Sequence, residues 1–340
     1  MSDAVVAASA APVVQVARLR HAYGERVALD DVSFSVSAGE IFAFLGPNGS
    51  GKTTLFRILS TLLPAAPGTV RVLGMDAAEQ RDGVRRHIGV VFQSPSLDKQ
   101  LTARENLTHQ GHLYGLRGTE LARRVEQVLA AVGLADRAGE RVDRFSGGMR
   151  RRVEIAKGLL HRPRVLLMDE PSTGLDPAAR IDLWRYVRQI SGNGSGGGGV
   201  TVLLTTHLME EADQADRLAI MDRGRLIACD TPAALKERIG GDVITVSTRQ
   251  PEAVRNALRD RLGVEAQAMG PVLRLEMPRG HEFVPRLIEA APGLVESVSV
   301  GKPTLEDVFI RLTGQRLAED GDAAAPPGPA ARSAPGKPGR

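Results

Sequence analysis

The chain has a single cysteine, Cys229, in 340 residues, so no disulfide can form within it, and a reducing compartment is implied. It has no long hydrophobic run. Stretches such as "RVLLMD" and "VTVLLTT" fall far short of the ~20 apolar residues that cross a bilayer. A basic leader is missing too: "MSDAVVAASAAPVV" carries an acid and no lysine or arginine, which argues against a secretory signal. Nor is there much charge of one sign, since a net +4 over this length does not by itself call for nucleic acid. No convincing internal repeat is present. What is there is 42% hydrophobic residues, enough for a sizeable core, about two domains and a soluble protein.

The densest local signal is "FLGPNGSGKTTLFRIL", Phe44 to Leu59. Gly46, Gly51, Lys52 and Thr53 fit the G-x-x-x-x-G-K-[ST] pattern of a phosphate-binding loop. Backbone N–H groups converge on an anion only where side chains do not block the approach, which glycine allows. "IFAFL" before it reads as a buried strand, and Leu55, Ile58, Leu59 and Leu62 after it recur at helical spacing. Strand, loop and helix together turn a text match into a site, because the helix N-terminus adds partial positive charge beneath the phosphates.

Residues 1–12 read as a disordered leader, and residues 13–240 alternate strands and helices as an α/β core with much parallel sheet does. "VQVARLRHAYG" and "DDVSFSVSAGE" read as strands. "LARRVEQVLAAVGL" places Leu121, Val125, Val128, Leu129 and Val132 on one helix face, with Gly133 as the stop. "RVLLMDEP" and "VTVLLTTH" read as fully buried central strands, and "SGNGSGGGG", Ser191 to Gly199, as a flexible loop. "LAIMDRGRLIACD" is a hairpin turning at Asp222 to Gly224. Thr231 and Pro232 start a short helix that stops at Gly240 and Gly241. The pattern restarts over 242–314 with strands "DVITVS", "PVLRLEM" and "VESVSV" among helices "PEAVRNALRDRLG", "EFVPRLIEAA" and, capped by Thr304, "TLEDVFIRLTG". This is a small α+β domain without a catalytic-looking cluster. Residues 317–340, rich in Ala, Pro and Gly, read as a disordered tail.

A bound nucleotide needs magnesium, and magnesium needs a carboxylate near a neighbouring strand end. Asp169 closes "VLLM" and meets that requirement. Glu170 leaves the strand end in another direction, so one acid can organise the ion while the other polarises water for hydrolysis. His207 closes a second buried strand, and strand ends on one side of a parallel sheet line the ligand crevice. In "FSGGMRRRVEIAKGLL", Ser146, Gly147 and Gly148 lead into a helix. They offer a hydroxyl and free N–H groups, although the stretch alone reads as a capped helix with Arg150, Arg151 and Arg152 on its wet face.

In order, "GPNGSGKTT", "VVFQSPS", "FSGGMRRR", "VLLMDEPSTGLDP" and "LLTTHLMEEAD" resemble the ATP-binding subunit of ABC transporters over residues 13–240. "FSGGM", the acid pair and the closing "PTLEDVFIRLTG" look most like the daunorubicin-resistance type of drug-export ATPase. The resemblance implies a phosphate-loop ABC ATPase core with an inserted helical subdomain, followed by the small α+β domain. It implies ATP and magnesium as cofactors. Nucleotide would be held by Gly46, Pro47, Asn48, Gly49, Ser50, Gly51, Lys52, Thr53 and Thr54, with Tyr23 stacked on the adenine. Thr53 and Asp169 would serve the metal, Gln93 would touch the metal or the attacking water and report to the membrane partner, Glu170 would be the general base, and His207 would hold the γ-phosphate. Ser146, Gly147 and Gly148 would face the ATP of a second copy, beside Asp176 at the dimer interface.

The same resemblance implies a homodimer on the cytoplasmic face of the membrane, driving a separate permease, with drug or antibiotic efflux as the service. The segment "QSPSLDKQLTARENLTHQGHLYGL" would carry the groove for the permease, with Leu97, Leu101, Leu107, Leu113 and Tyr114 as lining or as subdomain core. The family's signature reads Leu-Ser-Gly-Gly-Gln, whereas Phe145 and Met149 stand at its first and last places here. Phosphate contact from Ser146 and its glycines survives that change; a role for the Gln side chain does not. One alternative is an ABC-type ATPase acting on nucleic acid or ribosomes. This sequence has one set of motifs and no long coiled-coil insertion, unlike such forms, and no nucleic acid is expected. A second is a binder without turnover, against which Glu170 and His207 stand.

Overall fold

A computed structural model describes residues 11–191, 199–270 and 272–314. Most of the alanine-rich leader, most of the Ser191–Gly199 segment and the tail from 317 lie outside the described residues. Strand β1 (Val14–Tyr23) pairs antiparallel with β2 (Arg26–Val36) across a tight turn in which Gly24 takes φ +59°. The second strand therefore starts at Arg26, earlier than its alternation alone suggests. Strand β3 (Ile41–Leu45) runs into the glycine loop and helix α1 (Lys52–Leu59). That helix ends before Leu62, which is 56% exposed; Thr61 already sits at φ +61°. Strands β4 (Val70–Val72) and β5 (Met75–Asp76) complete an antiparallel sheet of order β2-β1-β4-β5.

Helix α2 (Arg81–His87) and strand β6 (Ile88–Val91) lead to the helical insertion. It contains α3 (Ala103–Leu113) and α4 (Gly118–Ala131), which pack on α5 (Gly147–Leu159). Thr102 and Glu105 start α3 with a reciprocal capping box, satisfying two orphan donors at once. Leu107 is buried and Leu97 packs partly against the core, whereas Leu113 is 82% exposed and Tyr114 stacks its ring on His161, centroids 3.8 Å apart. The chain continues through β7 (Val165–Asp169), α6 (Pro177–Ile190), β8 (Thr201–Thr206) and α7 (Met209–Ala212). The hairpin β9 (Arg217–Asp222) and β10 (Arg225–Asp230) and helix α8 (Pro232–Glu237) follow.

The central sheet has the order β10-β9-β3-β8-β7-β6 and is parallel except for β10. Alternate residues of β3 divide between two cores: Ile41, Ala43 and Leu45 face the helices, while Phe42 and Phe44 face the antiparallel sheet. Both faces are covered, and that is why these strands read as unbroken apolar runs. Phe34 on β2 joins Phe42 and Phe44, with ring centroids 5.0–5.6 Å apart.

The remaining elements are β11 (Asp242–Ser247), α9 (Pro251–Leu262), β12 (Gln267–Met269), β13 (Val272–Met277), α10 (Gly280–Ala290), β14 (Ser297–Gly301) and α11 (Leu305–Thr313). The order β12-β13-β11-β14, antiparallel throughout, makes a split βαββαβ unit of the ferredoxin-like kind. Strand β12 has three residues, too short to show a period in the sequence. Helix α11 turns away from this unit's own core. Its Leu305, Val308 and Phe309 join the main apolar cluster with Leu235 of α8 and the nearby Ile239.

Candidate functional site

The loop from Gly46 to Gly51 lies between β3 and α1, walled by the turn of the β9–β10 hairpin. A Cβ at Gly46 would come 2.3 Å from the Met221 carbonyl oxygen, and one at Gly51 would come 2.7 Å from that of Ala28. Gly51 also takes φ +102°, so only glycine fits both the space and the backbone. Gly224 donates its N–H to the Ser50 carbonyl at 3.0 Å, fastening the hairpin turn to the loop. Lys52 is buried, and its Nζ donates to the carbonyls of Gly46 (2.6 Å) and Pro47 (2.9 Å). A cavity of about 530 Å³ opens over this loop. Asn48, Gly49, Thr53, Thr54 and Tyr23 border it, together with Glu170.

The two acids arrive from β7, separated from β3 by β8. Asp169 is buried and accepts a 2.5 Å hydrogen bond from the Thr205 hydroxyl. Burial pushes its carboxyl above the ordinary range, and the neighbouring Glu170 charge adds to that, against the pull of the Thr205 bond. Glu170 takes φ +42°, an uncommon backbone for a residue with a side chain. Its N–H is held by the carbonyl and hydroxyl of Thr205, at 3.2 and 3.0 Å. One carboxylate oxygen accepts from Gln93 Nε2 (3.0 Å) and Thr173 Oγ1 (3.2 Å). The other lies 3.4 Å from His207 Nδ1. Gln93, Glu170 and His207, 114 positions apart from first to last by their numbering, thus form one cluster.

Ser146, Gly147 and Gly148 stand elsewhere. Ser146 caps α5, its hydroxyl accepting from Met149 N–H at 3.2 Å. Asp176 caps α6 in the same way through Ala179 N–H at 2.9 Å. A Cβ on Gly148 would meet that of Ala179 at 2.8 Å, so glycine lets the two helix starts approach closely. Ser146, Gly148 and Asp176 border a separate cavity of about 150 Å³. The chain therefore presents a second helix-start cavity apart from the one over Lys52.

Within the arginine run, Arg151 departs from the wet-face expectation. Arg151 is buried, and burial pushes its guanidinium down to about 10. The reason is that α5 is covered on several sides, with Met149, Val153, Glu154, Ile155, Ala156 and Leu159 also buried. Sequence reasoning missed Arg151 as a site neighbour, and it passed over Thr205 and Thr173. A hydroxyl residue at the end of an otherwise apolar strand was the available signal for Thr205.

Magnesium is implied by the resemblance set out above. Among the described residues there is no group of three or more His, Cys, Asp or Glu to hold a metal ion. The donor set fits an ion that takes one carboxylate and a hydroxyl from protein and the rest from phosphate and water. Asp169, buried beside a second acid, is a carboxylate whose charge such a cation would favour.

A glycine loop closing on a buried lysine, with paired acids two strands away, defines a phosphate-loop nucleotide hydrolase. A family model described as ABC transporter matches residues 29–173. The daunorubicin resistance ATP-binding protein DrrA2 of Streptomyces coeruleorubidus is 41% identical over 305 residues, 86% of this chain and 92% of that protein. The linearmycin resistance ATP-binding protein LnrL of Bacillus subtilis (strain 168) is 36% identical over 315 residues, 90% of this chain and 99% of that protein. The fold is also similar to a dimeric post-hydrolysis structure of the ATP-binding cassette MJ0796 bound to ADP and Pi. That match has a TM-score of 0.56 and 27% identity, covering 64% of this chain and 98% of that one. The chain belongs to the family of ABC transporter ATP-binding subunits, and its activity is ATP hydrolysis. The named relatives are resistance proteins, and nothing among them supports the nucleic-acid alternative.

Proposed function

We propose that this chain is the ATP-hydrolysing motor of a drug or antibiotic exporter whose membrane channel is a separate permease. The single observation that carries the chemistry is the Gln93–Glu170–His207 cluster at the border of the cavity over Lys52. Gly46, Pro47, Asn48, Gly49, Ser50, Gly51, Lys52, Thr53 and Thr54 cradle the triphosphate, and Tyr23 stacks on the adenine. Thr53, Asp169 and Gln93 would hold magnesium, which would supply charge neutralisation at the phosphates. Glu170 takes a proton from the attacking water as its oxygen bonds to the γ-phosphorus. The bond from that phosphorus to the bridging oxygen of ADP breaks, and phosphate leaves. His207, held beside Glu170, contacts the γ-phosphate.

Ser146, Gly147 and Gly148, with Asp176 beside them, close on the ATP of a second copy, because one phosphate loop leaves the γ-phosphate open on one side. No helix among the described residues is long and apolar enough to cross a membrane. Membrane association therefore comes through the permease, docked at the segment from Ser94 to Glu105 and the exposed end of α3 at the cytoplasmic face. The test is Glu170→Gln in the full chain, co-expressed with its permease. Turnover should fall at least ~100-fold, within the usual worth of a general base, with ATP binding retained and drug efflux lost. Unchanged turnover removes Glu170 from the role. Lost turnover with undiminished efflux removes the exporter assignment.

A further inference from the structure

Arg151 reaches the catalytic cluster from behind. It borders the smaller cavity beside Ser146, whereas Glu170 borders the larger one over Lys52. Its Nε donates to the Pro171 carbonyl at 2.6 Å, Nη1 to that of Phe92 at 2.6 Å, and Nη2 to that of Asp169 at 3.2 Å. Phe92 immediately precedes Gln93, and Asp169 and Pro171 flank Glu170. One planar fork thus fixes the backbone on both sides of the 3.0 Å Gln93–Glu170 hydrogen bond. All three acceptors are main-chain carbonyls, so the guanidinium sets the path of the chain.

The same helix grips the far end of the Gln93 segment. Glu154 accepts from the N–H and hydroxyl of Ser96 at 2.5 and 2.8 Å, and Lys157 donates to the Ser96 carbonyl at 3.0 Å. Phe92 and Ser96, which bracket Gln93, are both tied to α5. That helix is capped by Ser146, the residue proposed above to face the nucleotide of a second copy.

We infer that Arg151 is a positioning residue for hydrolysis, holding Gln93 and Glu170 at their working separation and tying that pair to the helix that starts at Ser146. The inference rests on the hydrolytic roles proposed above for Gln93 and Glu170. Phosphate engaged at Ser146 shifts α5 as a rigid rod, and the guanidinium moves Phe92 and the Asp169–Pro171 backbone with it. The state of one half-site thereby conditions chemistry at the other on the same chain. A lysine would keep the charge and lose the fork.

The test is steady-state ATPase kinetics on the full chain carrying Arg151→Lys, Arg151→Gln, Gln93→Ala and the Lys–Ala double variant, with Glu170→Gln as control. Arg151→Lys should lower kcat about 10-fold or more, in the range that a ~1 Å displacement at a reacting centre costs. KM for ATP should change less than about 2-fold, as for an interaction made only in the transition state. Cooperativity in ATP should weaken, and the double variant should lose less than the product of the two single effects, because they share the Gln93–Glu170 contact. Unchanged kcat, or effects of the two substitutions that multiply independently, would overturn the inference. Unfolding of both Arg151 variants, read by circular dichroism, would assign the residue to the fold and overturn it as well. If Glu170→Gln keeps turnover, the underlying reading fails. If it loses turnover while the Arg151 variants keep theirs, only this inference fails.

Discussion

The central sheet and the βαββαβ unit both alternate strands with helices, yet only the first builds a site. In the central sheet β3, β8 and β7 are parallel neighbours, with Leu45 opposite Thr206 and Asp169 opposite Thr205. Their C-terminal ends coincide, so the residues that follow (Gly46, His207 and Glu170) emerge side by side on one edge. In the C-terminal sheet β11 runs antiparallel to both β13 and β14. The ends of neighbouring strands there fall on opposite edges, and polar groups are dispersed. They pair locally, as Asp242 with Lys302 at 2.7 Å and Arg274 with Asp307 at 3.1 Å. Strand direction, more than composition, decides where chemistry can gather.

Breaking the C-terminal unit should leave the site intact. Leu273 on β13 is fully buried in that unit's own core, and Leu273→Ala should cost about 2–5 kcal/mol by losing burial and leaving a cavity. Denaturant unfolding should show this as a weakened transition of that region, with ATP affinity unchanged. A parallel fall in ATP affinity would show that the two regions are one energetic body, with α11 as the obvious link.

The converse is Lys52→Ala, which should strike only the central sheet's edge. Loss of its charge-assisted contact to phosphate should weaken ATP binding about 10-fold or more, from ~1.5–3 kcal/mol for a hydrogen bond to a charged group. Isothermal titration with ATP measures it. Normal affinity would count against the loop as the binding element.

The smallest effect sharpens the comparison at the acid pair. Asp169 has its folded-state pKa raised, chiefly by burial. Its protonated form is therefore favoured on folding, and stability is lost as pH rises through that folded value. The penalty is greatest at a pH above that folded value. Asp169→Asn should raise the melting temperature of the nucleotide-free chain by about 1–3 °C, the shift that a fraction of a kcal/mol to 1 kcal/mol gives in a chain of this class. The gain should shrink as the pH falls toward ~4, the ordinary Asp value. A lowered melting temperature at neutral pH would mean that the Thr205 bond outweighs burial.

The sequence by itself determined the phosphate loop, the acid pair and the helix start at Ser146. Each is a local device: glycines where backbone approaches an anion, an acid at a strand end, a hydroxyl at a helix start. Their period and punctuation lie within one turn or one strand, where side-chain preference and backbone sterics act directly. The ordered motifs also carried the family, which Gln93 and His207 needed in order to be singled out. The tertiary structure alone decided that α5 buries Arg151 against Phe92, Asp169 and Pro171, and that Thr205 serves both acids. It also decided that α11 returns to the main core. These contacts depend on strand order, register and which side of a helix meets which sheet. Hydrophobic periodicity does not encode them, because an apolar face says that it must be covered and not by what.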